Sequence, residues 1–340
     1  MKIFKVIKEN DEQWSEIIKK STGFDFYHTI CYHELEKDGE PILLVAINGN
    51  SFIAFPLIKR QIPNSHFYDC TSAYGYLGPI TNVSVENRNS DLEKYFKNNV
   101  KKFFLEDNIV ACFSRLHPII NNHKLLTDFG KILDINKTIS IDLSISAEEQ
   151  RREYRKSNKY EINKLRKNGY TVVEAKTEEE INTFISIYLE TMNKVNAADN
   201  YFFDNEYFYK FLNNNCFNSK LLLAKKDNII TAGAIFTITN NIMQYHLAGT
   251  RQDYARETPM KLILDEARLL ANDLDLKHLH LGGGVGGSDE DSLFKFKSGF
   301  SKNTHMFKVW QYIANKEVYD KLVDEKGADK ENKYFPLYRS

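Results

Sequence analysis

The sequence predicts an α/β (α+β) protein made of two tandem units, each a mixed, mostly antiparallel sheet flanked by helices. Strand-like hairpins recur in both halves, and each group of hairpins is followed by one helix and one further strand. A strongly charged helical stretch separates the two halves. Two similar units in tandem are the simplest explanation of this order, although antiparallel sheets with one crossover helix are common enough to recur by chance.

We place the first unit at residues 1–145. Residues 41–60 contain two β-rich runs joined at Asn48-Gly49, a residue pair that tolerates positive φ and therefore suits a tight hairpin. Apolar residues then recur at helical spacing from Asp91 to Glu106, and Ile109 to Phe113 is typical of a buried strand. The predicted order is hairpin, loop, helix and strand.

One long connecting helix is predicted over residues 146–169. Ser146 and Glu149 form a capping box at its start, and Asn168-Gly169 marks its end. Basic residues outnumber acidic ones along it, so their positive charges repel one another unless water or an anion screens them. Two interpretations stay open, a solvated face or a contact with the phosphate of a nucleotide-linked substrate or of tRNA. The basic residues are Arg151, Arg152, Arg155, Lys156, Lys159, Lys164, Arg166 and Lys167.

The second unit is predicted at residues 170–325, with a C-terminal tail at 326–340. A capping box of Thr177 and Glu180 opens its first helix. Turn signals at residues 227–228 and 240–241 then divide a β-rich run into three antiparallel strands. A helix from about Pro259 and a strand at residues 277–281 complete the repeated order.

The bulk composition excludes several classes of protein. The chain has 46 basic and 46 acidic residues, so no overall field attracts DNA. No apolar stretch approaches the roughly 20 residues that cross a bilayer, and the N-terminus is too charged for a signal peptide, so we expect a cytoplasmic protein without a membrane span. The four cysteines form no C-x-x-C pair and are expected to be reduced, with no metal site. The oligomeric state stays open.

The run from His278 to Phe300, HLHLGGGVGGSDEDSLFKFKSGF, is the most informative part of the sequence. A strand enters a cluster of glycines that includes Gly283, Gly284, Gly286 and Gly287, whose backbone can come close to a bound group. No Gly-Lys-Ser/Thr follows, so this is not a Walker loop, and the polar residues after the glycines do not fit a dinucleotide fingerprint. A flexible connection between strand and helix is the alternative.

The segment SLFKFKSGFS, residues 292–301, resembles the signature of the Fem family within the GNAT acyltransferase superfamily. YGYLGP, with Gly78 and Pro79, is similar to the Gly-Pro element of the family's first domain. NKYEINKLRKNGY resembles the basic helix before its second domain. The resemblance implies two tandem GNAT-like domains. It also implies transfer of an aminoacyl group from tRNA to a peptidoglycan precursor, or of other acyl groups to sugars and lipids.

On this resemblance Lys297 takes the position of the family lysine, Phe296 the aromatic residue before it and Gly299 the turn after it. Acyl transfer to an amine passes through an oxyanion, and an ammonium in a cleft that holds little water stabilises that charge. We therefore expect Lys297 to be catalytic. The alternative is an ordinary surface lysine. Asp289, Glu290 and Asp291 lie nearby, but none of them is assigned as the base.

Several residues are candidates for substrate binding. Tyr245 and His246 lie on a predicted strand and are expected to face a cleft between the domains, although core aromatics are the alternative. Arg155 and Lys159 of the basic helix are candidates for an anionic substrate. Gly283 and Gly284 are the further candidates. His278 and His280 share a face of one strand, but no third ligand has a telling spacing, so no metal is expected.

We expect no permanently bound cofactor, and the acyl donor is either aminoacyl-tRNA or acyl-CoA as a co-substrate. The acceptor is expected to be a nucleotide- or lipid-linked precursor of the cell envelope, with the tRNA acceptor end as a possible partner. Tandem coiled-coil helices typical of tRNA-using relatives are missing, and RQDYARETPM has no glycine where acetyl-CoA enzymes place a pyrophosphate loop. The alternatives are an acyl-CoA-dependent N-acyltransferase that acts on an amino sugar in polysaccharide biosynthesis, and a non-catalytic binding protein on the same fold.

Overall fold

The chain folds as two compact units in a computed structural model. The first unit comprises residues 1–135 and 306–340, and the second comprises residues 136–305. This division differs from the predicted boundaries, because the strand that ends at Ile313 pairs with the strand that begins at Ile109. The C-terminal segment therefore returns to the first unit. The structure describes residues 1–8, 12–84, 90–285 and 290–340.

The described residues form strands and helices with the following bounds. In chain order the strands are β1 (Lys2–Lys8), β2 (Glu40–Asn48), β3 (Ser51–Gln61), β4 (Tyr68–Thr71), β5 (Ile80–Thr81), β6 (Ile109–Leu116), β7 (Lys131–Asp142), β8 (Thr171–Glu174), β9 (Asn218–Lys226), β10 (Ile229–Thr239), β11 (Ile242–Thr250), β12 (His278–Gly282) and β13 (Thr304–Ile313). The helices are α1 (Glu12–Lys20), α2 (Ile30–His33), α3 (Ser90–Glu106), α4 (Ala147–Glu153), α5 (Lys156–Lys167), α6 (Glu178–Lys194), α7 (Asn205–Leu212), α8 (Met260–Asp273), α9 (Ser292–Lys297) and α10 (Lys316–Lys326).

The sheet of the first unit has the order β1-β2-β3-β4-β6-β13, with β5 paired to β3. Neighbouring strands are antiparallel except β4 and β6. The predicted hairpin is confirmed, since Asn48 pairs with Ser51 and Gly49 has a φ of +60°. The predicted helix is α3, whose Phe96, Val100 and Phe104 enter the core beneath β2 and β3.

The sheet of the second unit has the order β7-β12-β11-β10-β9-β8, and only β11 and β12 run parallel to each other. The three predicted antiparallel strands are confirmed as β9, β10 and β11. Both turns use residues with positive φ, Asp227 and Asn228 in one and Asn240 in the other. The predicted helix is α8, which begins after Pro259, and Ile263 and Ala267 lie fully buried on its inner face.

The connecting segment contains two helices, so the prediction of one long helix is wrong. Both predicted capping boxes are present, and the segment ends at Gly169 with a φ of +81°. Between α4 and α5, Tyr154 and Arg155 have ψ angles of 140° and 145°, which lie outside the helical range. The buried Tyr154 side chain packs into the core, and the Arg155 N–H donates to the carbonyl oxygen of Gly299 at 2.9 Å. These tertiary contacts outweigh the local preference for helix.

Two further expectations concern cysteines and membranes. Cys70 and Cys112 are buried free thiols, as predicted. Cys31 and Cys216 are not free thiols, so the prediction of reduced cysteines is wrong for these two. Among the residues that the structure describes, no helix has both the length and the apolar character to cross a membrane.

Candidate functional site

Lys297 lies at the last position of α9 and is almost fully buried. Its side chain is 7% exposed, its Nζ donates to the carbonyl oxygen of Gly283 at 2.7 Å, and the same nitrogen lies 5.7 Å from the ring centroid of Tyr245. Asp291 begins this helix, since its carboxylate accepts a hydrogen bond from the Phe294 N–H at 2.8 Å. The alternative of a surface lysine is therefore wrong. Three residues predicted for the site meet here.

Burial changes the proton affinity of this lysine. Desolvation lowers the pKa of Lys297 to about 7, against a smaller opposing effect from the negative charge of Asp291. Both protonation states are therefore populated near neutral pH. The charged form can donate hydrogen bonds to an oxygen that gains negative charge, and the neutral form can accept a proton. Burial also raises the pKa of Tyr245, so its phenol stays protonated at neutral pH.

The glycines after β12 allow close packing around Lys297. A Cβ at Gly284 would lie 2.1 Å from the Asp291 carboxylate oxygen Oδ1, so a side chain there would displace the residue that caps α9. A Cβ at Gly283 would lie 3.0 Å from the carbonyl oxygen of Lys137. Of the acidic base candidates, Glu290 pairs with Lys295 and Asp291 caps the helix. Gly286, Gly287 and Asp289 lie outside the described residues.

The parallel strands β11 and β12 stop pairing next to this lysine. Their register runs from Ile242 opposite His278 to Gln244 opposite His280, and no later pair joins them among the described residues. A β-bulge interrupts the pairing of β11 with β10 at the same level, with Tyr245 opposite Phe236. The two strands therefore do not pair with each other where the Lys297 ammonium donates to the Gly283 carbonyl oxygen.

His246 belongs to a different environment from Tyr245. Its Nε2 lies 3.3 Å from the hydroxyl of Tyr207, and its ring stacks on Phe211 with centroids 4.7 Å apart, both partners being on α7. Tyr245 instead packs against the core that α5 and α8 cover. Burial lowers the pKa of His246 to about 3, so the ring is neutral at physiological pH. The structure does not bring His246 together with Lys297.

Phe296, Arg155 and Lys159 lie around this centre in different environments. Phe296 is partly buried, with its ring centroid 5.6 Å from that of Phe300. Arg155 is exposed, and its Nη2 donates to the Ser298 hydroxyl at 2.8 Å. Lys159 donates from Nζ to the carbonyl oxygen of Arg152 at 2.9 Å. Arg155 therefore borders the turn after Lys297, and Lys159 lies one helical turn further along α5.

Asp265 is the buried centre of an ionic cluster that sequence reasoning did not predict. The Asp265 carboxylate accepts hydrogen bonds from Arg151 at 2.8 Å, Arg166 at 2.9 Å and Arg268 at 3.1 Å. Burial alone would raise the pKa of Asp265, but the charges of Arg268 and the other guanidinium groups hold it below its ordinary value. Two of the eight basic residues, Arg151 and Arg166, thus pair with a buried carboxylate, although Arg166 itself is exposed. Asp265 and Arg268, three residues apart within an apolar helix, were the available signal.

His280 is a buried residue of the sheet that bonds to its two neighbouring strands. It is fully buried, with Nδ1 2.6 Å from the amide oxygen of Gln244 and Nε2 2.9 Å from the hydroxyl of Thr138. These contacts join the neighbouring strands β7, β12 and β11. Within the described ranges, no three or more histidine, cysteine or acidic side chains are arranged to hold a metal ion.

Comparison with known proteins gives matches in structure only. No family model matches the chain, and no curated protein matches it in sequence. A crystal structure of FemX superposes with a TM-score of 0.74 at 12% identity, covering 93% of this chain and 99% of that one. The structure of L-PGS from Bacillus licheniformis gives 0.60 at 13% identity, covering 91% and 93%.

A third solved structure supports the repeated architecture that the sequence predicted. A tandem GNAT protein from the clavulanic acid biosynthesis pathway gives a TM-score of 0.53 at 8% identity, and the match covers 93% of this chain and 99% of that one. At these identities the likeness concerns the fold. The chain has the fold of the Fem-like tandem GNAT proteins.

Proposed function

We propose that this protein is an acyltransferase that moves an acyl or aminoacyl group to an amine on a precursor of the cell wall or of a surface polysaccharide. The observation that carries the proposal is the buried ammonium of Lys297, which lies where two parallel strands cease to pair with each other. Few physical reasons place a lysine almost wholly out of water, since desolvating the ammonium destabilises its charged form. A requirement for a cation at that point is one such reason.

The reaction assigns a defined task to this cation. The acceptor amine attacks the carbonyl carbon of the donor ester or thioester, which forms a C–N bond and places negative charge on the carbonyl oxygen. Lys297 donates a hydrogen bond to that oxygen in a site that excludes most water. The intermediate then collapses, the bond to the donor oxygen or sulfur breaks, and the amine proton leaves to a base or to solvent. The base remains unassigned.

The acceptor side of the proposal rests on Arg155 and Lys159. Both are cationic, and Arg155 is exposed next to the turn that follows Lys297. Guanidinium and ammonium groups bind phosphate, so a nucleotide- or lipid-linked acceptor fits this side. The fold shared with FemX and L-PGS is consistent with an acceptor of the cell envelope.

A second candidate function differs from the first in its acyl donor. β11 and β12 do not pair with each other after Gln244, and we propose that the extended thioester arm of acyl-CoA binds there in this alternative. Aminoacyl-tRNA is the donor in our leading proposal. An amino sugar is the acceptor that we propose for the acyl-CoA alternative.

The donors can be separated with the purified full-length protein. One assay incubates it with CoA thioesters and an amino sugar and follows free thiol, and the other uses charged tRNA with a nucleotide-linked peptide precursor and follows amide formation. Amide formation from charged tRNA supports the leading proposal. Thiol release with an amino sugar and no transfer from tRNA replaces it with the acyl-CoA alternative. Saturable precursor binding without turnover of either donor supports a non-catalytic binding protein.

A further inference from the structure

The break between α4 and α5 is fastened to the turn that directly follows Lys297. Three successive residues of the break make the contacts. The Glu153 carboxylate accepts a hydrogen bond from the Ser301 hydroxyl at 3.0 Å. The Tyr154 ring meets that of Phe300 edge-on, with centroids 5.0 Å apart. We call residues 153–155 together with 298–302 the clamp.

Arg155 completes the clamp through both its backbone and its side chain. Its N–H donates to the carbonyl oxygen of Gly299 at 2.9 Å, and its guanidinium donates to Ser298 at 2.8 Å. Gly299 leaves little space, because a Cβ there would lie 2.5 Å from the Asn158 amide nitrogen. The clamp therefore holds the chain from Ser298 onwards, which is the residue directly after Lys297.

A buried arginine anchors the clamp from below. Arg268 is 2% exposed, and its Nε donates to the Tyr154 hydroxyl at 3.0 Å. Its other nitrogens donate to the carbonyl oxygen of Ala147, to Gln150 and to Asp265 at distances of 3.0 to 3.1 Å. One guanidinium thus ties both ends of α4 to α8. Such a fully bonded buried group fixes a local geometry more firmly than a surface contact does.

We propose that Glu153 and Tyr154 are positioning residues, which act through the clamp to hold the Lys297 ammonium against the Gly283 carbonyl and away from water. This inference rests on the proposed function of Lys297, but the effect of the clamp on the pKa of Lys297 can be measured without any catalytic activity. If the clamp loosens, the turn at residues 298–302 moves and water reaches the ammonium. Hydration stabilises the charged form, so the proton affinity of Lys297 rises towards that of an exposed lysine.

The test measures the apparent pKa of Lys297 directly, without requiring turnover. The full-length protein is trace-labelled with acetic anhydride between pH 5 and 11, and labelling of the peptide that carries Lys297 is quantified by mass spectrometry. Two variants loosen the clamp, Glu153→Ala and Tyr154→Phe. Glu153→Gln has the same change of charge as Glu153→Ala but keeps an oxygen that accepts the Ser301 bond.

Each loosening variant has a matched control. Glu148→Ala removes another exposed carboxylate of α4, one that pairs with Arg152 outside the clamp. Tyr188→Phe removes the hydroxyl of another buried tyrosine of the same unit, which donates to the carbonyl oxygen of Tyr201 at 2.8 Å. Loss of a negative charge by itself would lower the pKa of a lysine, so the expected rise cannot come from the field of the deleted carboxylate.

We expect Glu153→Ala and Tyr154→Phe to raise the pKa of Lys297 by about half a unit or more, while Glu153→Gln and both controls leave it unchanged or slightly lower. A shift in only one of the two variants limits the positioning role to that residue. No shift in either, or an equal shift in the matched control, overturns the proposal. An inactive protein with the expected shifts would overturn the proposed function alone, and an active protein without them would overturn the positioning role alone.

Discussion

The Lys297 ammonium and the Gly283 carbonyl oxygen lie 2.7 Å apart, which joins the end of a short helix to the end of a parallel strand. A neutral carbonyl holds the cation more weakly than a carboxylate would, because it contributes a dipole and no opposing charge. The lysine can therefore turn towards an oxygen that becomes negative during a reaction.

Replacing Lys297 by methionine should lower kcat by roughly a hundredfold or more, because the oxyanion loses its cationic partner. Methionine keeps most of the side-chain volume, so the protein should fold. The measurement is turnover with whichever donor proves active. Lys295→Met is the control, since Lys295 is on the same helix, exposed and paired with Glu290. Activity of the Lys297 variant within a few fold of the wild type would show that the site is assigned wrongly.

The rate should depend on pH through the same group. With a pKa of about 7, Lys297 is mostly protonated below neutrality and loses its charge as the pH rises. If the charged form is required, kcat falls above about pH 7. Lys297→Arg stays protonated to a much higher pH, so its residual activity should lack this falling limb. A pH–rate profile of both proteins measures the difference, and an unchanged falling limb in the arginine variant would exclude Lys297 as its source.

Gly284→Ala should impair both stability and activity. The new Cβ would lie 2.1 Å from the Asp291 carboxylate, so the residue that caps α9 has to move. Loss of a helix cap costs about 1 kcal/mol, and the strain adds to it. Urea unfolding and turnover are the measurements. Gly23→Ala is the control, because its Cβ would meet only Ile120 at 3.6 Å. Equal effects of the two substitutions would contradict this account of Gly284.

Asp265→Asn should destabilise the second unit by about 3–5 kcal/mol, because three guanidinium groups lose the buried charge that compensates them. Arg151, Arg166 and Arg268 all donate to this carboxylate. Urea unfolding measures the change. Glu266→Gln is the control, since Glu266 is partly exposed and bonds to Arg166 alone among these arginines. A loss below about 1 kcal/mol for Asp265→Asn, the range of surface pairs, would contradict the prediction.

The first unit should lose stability in acid. Burial lowers the pKa of His28 to about 3 and that of His33 to about 4, whereas an unfolded histidine has a pKa of 6.5. The unfolded state therefore binds protons first as the pH falls below 6.5, and stability declines by up to about 1.4 kcal/mol per pH unit for each histidine. The contribution is fully present above pH 6.5.

Unfolding free energies between pH 8 and 4 test this expectation. His33→Asn should make the decline shallower, because it removes one group that takes up a proton only on unfolding. His66→Asn is the control, since His66 is exposed. The same slope in the His33 variant as in the wild type would show that His33 does not contribute.

Local sequence determined much of the fold and part of the candidate site. Several features depend only on residues a few positions apart, so the sequence alone predicts them. They are the hairpin at Gly49, the capping boxes at Ser146 and Thr177, and the start of α8 after Pro259. Lys297 was identified by its short motif. Its burial and its contact with Gly283 were not determined locally, because they depend on a strand that ends 15 residues earlier.

Only the tertiary structure decided which long-range contacts form. Burial of Tyr154 against Arg268 and Phe300 divides a segment that local propensity makes one helix. Pairing of β13 with β6 returns the C-terminal segment to the first unit. Tyr245 lies near Lys297 and His246 packs against α7, because adjacent residues of a strand point to opposite faces and only the fold decides what covers each face. In each case the deciding free energy comes from packing and hydrogen bonds between distant segments, which local pattern does not encode.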